Sequence, residues 1–150
     1  MRVSLYRIFF DTSAYIAGLV STSGAARELL RLAETQIIGM VVSEEVITEV
    51  DRVLSTKFPG RVLESRQIWK NIEPEIAPNP TTNQTTPFLK ILEKGDAEIL
   101  CAASLAKVSA FVTWNTRDFM KHEVSDLVNF PVVVPAQGLK LFREWMEPFR

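Results

Sequence analysis

The chain is predicted to be an α/β protein with a central parallel sheet of four to five strands, covered by helices on both faces. Three observations predict it. Two apolar runs, Ile8-Phe9-Phe10 and Ala110-Phe111-Val112, are continuous rather than alternating, which is the pattern of strands buried on both faces. Each run passes directly into polar residues, Asp11-Thr12-Ser13 in one case and Thr113-Trp114-Asn115-Thr116-Arg117-Asp118 in the other. Between and after them, short β-rich runs alternate with longer segments of helical periodicity, the order expected of strand–helix–strand units.

The elements follow in order. After the first strand, Thr12 to Val20 leads to Ser23-Gly24, and Leu29, Leu30, Leu32 and Ala33 then fall at helical spacing within Ala25 to Gln36. Ile37 to Val42 is a short buried strand. Ser43 is a good N-cap for a helix whose apolar stripe is Val46, Ile47, Val50, Val53 and Leu54, ending near Phe58-Pro59-Gly60. Arg61 to Ile72 forms another helix. Glu75 to Pro78 is a brief edge strand, because its flanking prolines cannot donate to a sheet ladder. Asn79 to Pro87, rich in threonine, is predicted to be a loop. Ala97 to Lys107 is an Ala-rich helix opened by Asp96, Ser109 to Trp114 a strand, Pro131 to Val134 a last strand and Ala136 to Met146 a closing helix.

With 150 residues and 47% hydrophobic content, one domain spanning 1–150 with a full core is expected. No apolar stretch approaches the ~20 residues of a membrane span, and the start lacks a leader's apolar region, so the expected setting is the cytoplasm and no membrane partner is expected. The single cysteine, Cys101, sits among Ala102, Ala103 and Leu105 and reads as a small buried hydrophobe. A net charge of −1 argues against a globally basic nucleic-acid binder, so a polyanion would be held by a local basic patch or through a metal.

The acids carry the functional reading. Asp11 ends the first strand, where it caps the next helix and also lies at the crevice in which open α/β sheets bind ligands. At about 100° per residue, Glu49 lies about 40° from Val53 and about 60° from Val46, at the margin of the apolar stripe, while Glu44 and Glu45 point further towards water. Asp96 falls inside the arc of Ile99, Leu100 and Ala103. Asp118 closes a dense polar set with Thr113 and Asn115 at the end of the later strand. Strand ends of a parallel sheet share one edge, so these acids can converge. Two carboxylates about 4 Å apart repel by roughly 4 kcal/mol at an effective dielectric near 20, so a converging set calls for a cation. Oxygen donors without a histidine or cysteine cluster suit Mg²⁺ or Mn²⁺, and such an ion supports hydrolysis of a phosphodiester. The lone histidine, His122, reads as a surface residue. Trp114 reads as a core side chain in preference to a base-stacking one.

These residues resemble the PIN-domain ribonucleases, including the VapC-like toxins of toxin–antitoxin pairs. The carriers are the strand ending in Asp11-Thr12-Ser13, the segment Ser43 to Glu49, the Asp96-led helix, and Thr113-Trp114-Asn115-Thr116-Arg117-Asp118-Phe119. Trp114 stands where arginine or glycine is more familiar. The resemblance implies a three-layer α/β/α PIN-like fold and a Mg²⁺- or Mn²⁺-dependent endoribonuclease site. It implies Asp11, Glu49, Asp96 and Asp118 as the metal-binding and catalytic quartet, Glu45 being the alternative glutamate, with Thr12, Ser13, Thr113 and Asn115 as polar support. RNA is the implied substrate, a small antitoxin protein and a second copy of the chain the implied partners. Arg117 and Lys121, with Arg27 and Arg31, are candidates to steer the RNA backbone. Large apolar groups near the C-terminus, among them Phe130, Leu141, Trp145 and Phe149, give modest support to a dimer and equally suit a core. Two other readings stand beside the nuclease. One is a non-catalytic module of the same fold that binds RNA or a protein. The other is a phosphoryl-transfer domain using Asp11, which lacks the second aspartate such phosphatases place where this chain has Ser13.

Overall fold

The computed structural model describes residues 6–149; Met1 to Leu5, on which the expectation about a leader falls, and Arg150 lie outside them. Five strands form one sheet in the order β3-β2-β1-β4-β5, with every neighbouring pair parallel. They are β1 (Arg7–Phe10), β2 (Gly39–Val42), β3 (Glu75–Ile76), β4 (Ala110–Val112) and β5 (Val132–Val133). The helices are α1 (Thr12–Val20), α2 (Ala25–Glu34), α3 (Glu44–Lys57), α4 (Val62–Ile72), α5 (Thr82–Leu89), α6 (Lys94–Ala106), α7 (Thr116–Phe119), α8 (His122–Ser125) and α9 (Pro135–Met146). The predicted α/β class and parallel sheet are observed.

β1 is central, with Ile8 in register with Met40 on one side and Ala110 on the other. Its Ile8, Phe9 and Phe10 are buried, which is why its sequence is apolar without alternation. The chain moves from β1 through β2 to β3 in one direction and then returns across β1 to reach β4. Right-handed crossovers place the helices of the outward and return paths on opposite faces of the sheet. The reversal between β1 and β4 is the switch point, where the connections diverge and leave a crevice beyond the strand ends. α3 packs against both α1 and α6, so it spans the carboxyl edge from one layer to the other. That placement brings Glu49 to the crevice.

Aromatic stacking ties neighbouring elements together. Phe9 and Phe111 stack across β1 and β4 with centroids 5.2 Å apart, and Tyr15 of α1 stacks on Trp69 of α4 at 4.1 Å. α9 approaches β4 closely, and a Cβ at Gly138 would stand 2.9 Å from Val112 Cγ2. Gly138→Ala therefore has to displace the buried Val112 side chain, and it is expected to destabilise the fold by about 1–3 kcal/mol, read as a lower urea midpoint.

The structure corrects several expectations. Asn79 to Pro87 is not a loop, since residues Thr82–Leu89 form α5. Thr81 and Gln84 make a reciprocal capping box, Thr85 and Thr86 return their hydroxyls to the carbonyls of Thr81 and Thr82, and Thr85 and Phe88 are buried. The threonines that look loop-like by composition satisfy the helix's own end. α6 begins at Lys94 with Glu93 as N-cap, so Asp96 lies in the first turn instead of opening the helix. Trp114 is not core: it is 52% exposed, because β4 ends at Val112 and the chain turns outward before the ring can be covered. Thr116–Phe119 is a helical turn that periodicity over so few residues does not reveal.

Other expectations hold. Ser43 caps α3 by accepting from the Val46 N–H at 3.2 Å, Cys101 is buried, and His122 is exposed. Leu139 and Phe142 join the core, Trp145 packs against it, and Phe149 remains 63% exposed. Among the described residues no helix is long and apolar enough to cross a membrane.

Candidate active site

Asp11 follows β1 and caps α1. It is 3% exposed, and three donors converge on it: the Ala14 N–H at 2.9 Å and the Ser13 hydroxyl at 2.8 Å on Oδ1, and the Thr113 hydroxyl at 2.6 Å on Oδ2. Both hydroxyls are themselves fixed. Ser13 Oγ accepts the Trp114 N–H at 2.8 Å, and Thr113 Oγ1 accepts the Asn115 N–H at 2.8 Å. Each hydroxyl has one proton and gives it to the carboxylate. The two chains of bonds clamp the end of β1 to the end of β4 across the switch point. Capping and site-building are thus one arrangement, not alternatives.

Burial disfavours the charged form and raises the Asp11 pKa from 3.8 to about 6; the three hydrogen bonds pull it down, and the Glu49 charge pushes it further up. Thr113→Val keeps the shape but removes one donor to Asp11 and the acceptor for Asn115. The expected results are a carboxyl that titrates higher still, seen in a ¹³C carboxyl titration, and a loss of about 1–3 kcal/mol in stability.

The other acids come from three further elements. Asn115 caps α7, accepts from the Asp118 N–H and donates from Nδ2 to Asp118 Oδ2 at 3.1 Å, so it sets the orientation of that carboxylate. Asp96 is held at about 6 by burial and then by the charges of Asp118, Glu49 and Glu93, with Lys121 lowering it and no compensating hydrogen bond among the described residues. Glu49 faces Arg52 at 3.6 Å in a partly exposed pair that contributes little to stability.

A cleft of about 450 Å³ is lined by Asp11, Thr12, Ser13, Glu49, Asp96 and Asn115. Glu45 lines a different cleft, with Glu44, Thr48 and Glu98. The structure therefore brings Asp11, Glu49 and Asp96 together, sets Asp118 within electrostatic reach of Asp96, and leaves Glu45 apart. Among the described residues no three carboxylate, imidazole or thiolate side chains stand close enough to enclose one ion. The donors are nonetheless all hard oxygens, and Asp96 is a repelled carboxylate without a hydrogen bond. Such a set fits a small divalent cation that keeps several water ligands, as Mg²⁺ does.

The predicted basic residues divide. Arg27 gives its guanidinium to the carbonyls of Gly18 and Leu19, and Arg61 reaches Leu19 as well, so both serve the C-terminal end of α1. Arg31 pairs with Glu28 on the surface. Lys121 donates to the Ile91 carbonyl beside Asp96, and Arg117 is exposed on α7. Among the cleft residues that escaped the sequence reading are Lys57 and Phe58. Their signal was present, since Glu49, Val53 and Lys57 are spaced by four along one helix face.

A family model described as a PIN domain matches residues 7–117. The chain belongs to the PIN-domain family. That family is one of nucleases, and the matched span holds Asp11, Glu49, Asp96 and Asn115, stopping one residue short of Asp118. None of the curated proteins matches this PIN domain significantly in sequence. Among solved structures it is similar to a chain of VapBC2 from Rickettsia felis, bound to a DNA fragment from its promoter, with 13% identity over 85% of this chain and 96% of that one and a TM-score of 0.58. It is also similar to PAE2754 from Pyrobaculum aerophilum, with 16% identity over 92% and 98% of the two chains and a TM-score of 0.56. At such identities the likeness concerns the three-layer fold alone.

Proposed function

We propose that this single PIN domain is a Mg²⁺- or Mn²⁺-dependent endoribonuclease, the toxin of a toxin–antitoxin pair, acting in the cytoplasm. The observation that carries the reading is the gathering of Asp11, Glu49 and Asp96, from three separate elements, around one cleft at the switch point, with Asp118 of a fourth element within electrostatic reach of Asp96 and two of the acids held at about 6. A structural carboxylate is ordinarily hydrogen-bonded, whereas Asp96 is partly buried among like charges that Lys121 only partly offsets, with no hydrogen bond to its carboxylate among the described residues. Membership of a nuclease family supports the substrate class, and the complex from Rickettsia felis supports a small antitoxin as partner.

Asp11 and Asp96 are the residues that would hold the ion, with Glu49 and Asp118 reaching it directly or through water. When bound, a divalent ion neutralises the gathered acids and stabilises charge developing on the phosphate. Asp11 cannot swing, because three donors fix it. Asn115 holds one oxygen of Asp118, Oδ2, and so fixes how that carboxylate is presented. Glu49 or Asp118 takes the proton from the attacking water, and the 3′ oxygen departs in line. Thr12 and Ser13 shape the floor of the cleft. Lys121 and Arg117 draw in the RNA backbone locally, which a chain of net charge −1 requires. A second copy of the chain completes the proposed assembly, the exposed Phe149 being one apolar group available to it.

Titration with Mn²⁺ tests the reading. At about a hundred times its dissociation constant the ion should add about 2.7 kcal/mol of stability, seen as a raised melting temperature, and should switch on cleavage of single-stranded RNA. A protein that shows neither response is a non-catalytic binding module of the same fold.

A further inference from the structure

The lining of the cleft that gathers the acids falls into two chemically distinct sets. One is Asp11, Glu49 and Asp96. The other is an apolar wall of Ile16 and Ala17 from α1, Val53 and Phe58 from α3 and its C-cap, and Ile99 from α6. Phe58 stays 39% exposed there, although its backbone is fixed by the bond from its N–H to the Leu54 carbonyl at 2.8 Å. Lys57, next to it, supplies a cation on the same rim.

A nucleotide has the same division, with an anionic phosphate at one end and a flat, largely apolar base at the other. Water as the sole second reactant needs no apolar wall. A cleft of about 450 Å³ lies within the range of small-molecule sites, ~300–1,000 Å³, and has room for more than a phosphate and an ion. Charge complementarity favours a nucleotide over an apolar peptide, because Lys57 answers a phosphate while the acids answer its cation.

We propose that the Phe58 wall is a base subsite, which takes one unpaired base from a nucleotide flanking the scissile phosphate. This rests on the ribonuclease reading and adds to it a requirement on the substrate: the base must leave its stack to reach the wall, so duplex RNA is excluded. Phe58 acts as a specificity-determining residue, and the acids remain responsible for hydrolysis.

The test measures anisotropy of a fluorescein-labelled mixed-sequence RNA 12-mer with Ca²⁺ in place of the Mg²⁺ or Mn²⁺ that supports cleavage, using the single strand, its duplex, and single strands with an abasic nucleotide placed at successive positions. Phe58→Ala should weaken binding of the intact single strand by roughly 5- to 100-fold, the loss expected on removing one aromatic stacking partner. Phe58→Trp should restore it. At one abasic position the wild type should lose the same factor and Phe58→Ala nothing more, the non-additivity of two groups that touch. Binding of the duplex should be unchanged by either substitution. Equal affinity of wild type and Phe58→Ala, or losses that simply add at every abasic position, overturns the base subsite while leaving Mn²⁺-dependent cleavage intact. A wild type that shifts with Mn²⁺ yet neither binds nor cuts RNA overturns the ribonuclease reading and the subsite with it.

Discussion

Asp96→Asn should lower Mn²⁺-dependent cleavage of single-stranded RNA on the order of a thousandfold, while the metal-free protein melts at the same temperature or higher. The two halves of this result have one cause. The Asp96 carboxylate is repelled by Asp118, Glu49 and Glu93 and makes no compensating hydrogen bond, so the amide relieves repulsion in the apo state and removes the charge that would hold a cation. Asp11 is a poorer probe. Replacing it with alanine leaves the Ala14 N–H and the hydroxyls of Ser13 and Thr113 without their acceptor, and lost activity would then mix chemistry with damage to the clamp between β1 and β4. Asp11→Asn, which keeps one oxygen for two of those donors, should abolish cleavage with little change in apo melting. Asp96→Asn with activity within tenfold of wild type removes that acid from the mechanism.

The apo protein should be more stable at pH 4 than at pH 7.5, the reverse of a protein held by salt-bridged carboxylates. A carboxyl at about 6 in the fold and 3.8 outside it binds its proton more tightly when folded. Stability is therefore greatest below pH 3.8, falls as pH rises towards 6, and levels off above. At 1.36 kcal/mol per pH unit, Asp11 alone accounts for about 3 kcal/mol across that window. Asp96 acts in the same direction, more weakly, because solvent screens its half-exposed carboxylate. Saturating Mn²⁺ should cancel the fall, since the ion binds the deprotonated pair. Urea midpoints across pH 4 to 8, with and without metal, measure both effects. A metal-free profile that rises over this range contradicts the raised pKa of Asp11 and Asp96.

Some of this was legible residue by residue. The unbroken apolar runs of β1 and β4 declare strands covered on both faces, because only burial on both sides tolerates them. Ser43 announces the start of α3, since its hydroxyl accepts an amide proton that the helix leaves unpaired. The angular position of Glu49 separates it from Glu44 and Glu45, and it is the glutamate that lines the cleft with Asp11. Where the reading failed, the deciding contacts were local but outweighed by composition, or were distant altogether. Asn79 to Pro87 has a loop's residue types, yet Thr81 and Gln84 cap each other and Phe88 finds the core. Trp114 has a core residue's chemistry and sits just beyond a strand that ends too soon to bury it. Arg27 looked like a surface cation and spends its guanidinium on the end of α1.

The amino-acid order by itself determined which segments became strands and helices and which acids stood at their ends, because periodicity and capping act over a few neighbouring residues. Only the tertiary structure decided that Thr113 and Ser13 would clamp Asp11 from opposite sides of the switch point, that α3 would cross the carboxyl edge and bring Phe58 into the same cleft as the acids, and that Asp96 would face the charges of Asp118, Glu49 and Glu93. Those outcomes depend on strand order and crossover direction, which set distances between residues far apart in the chain and are encoded in no local pattern.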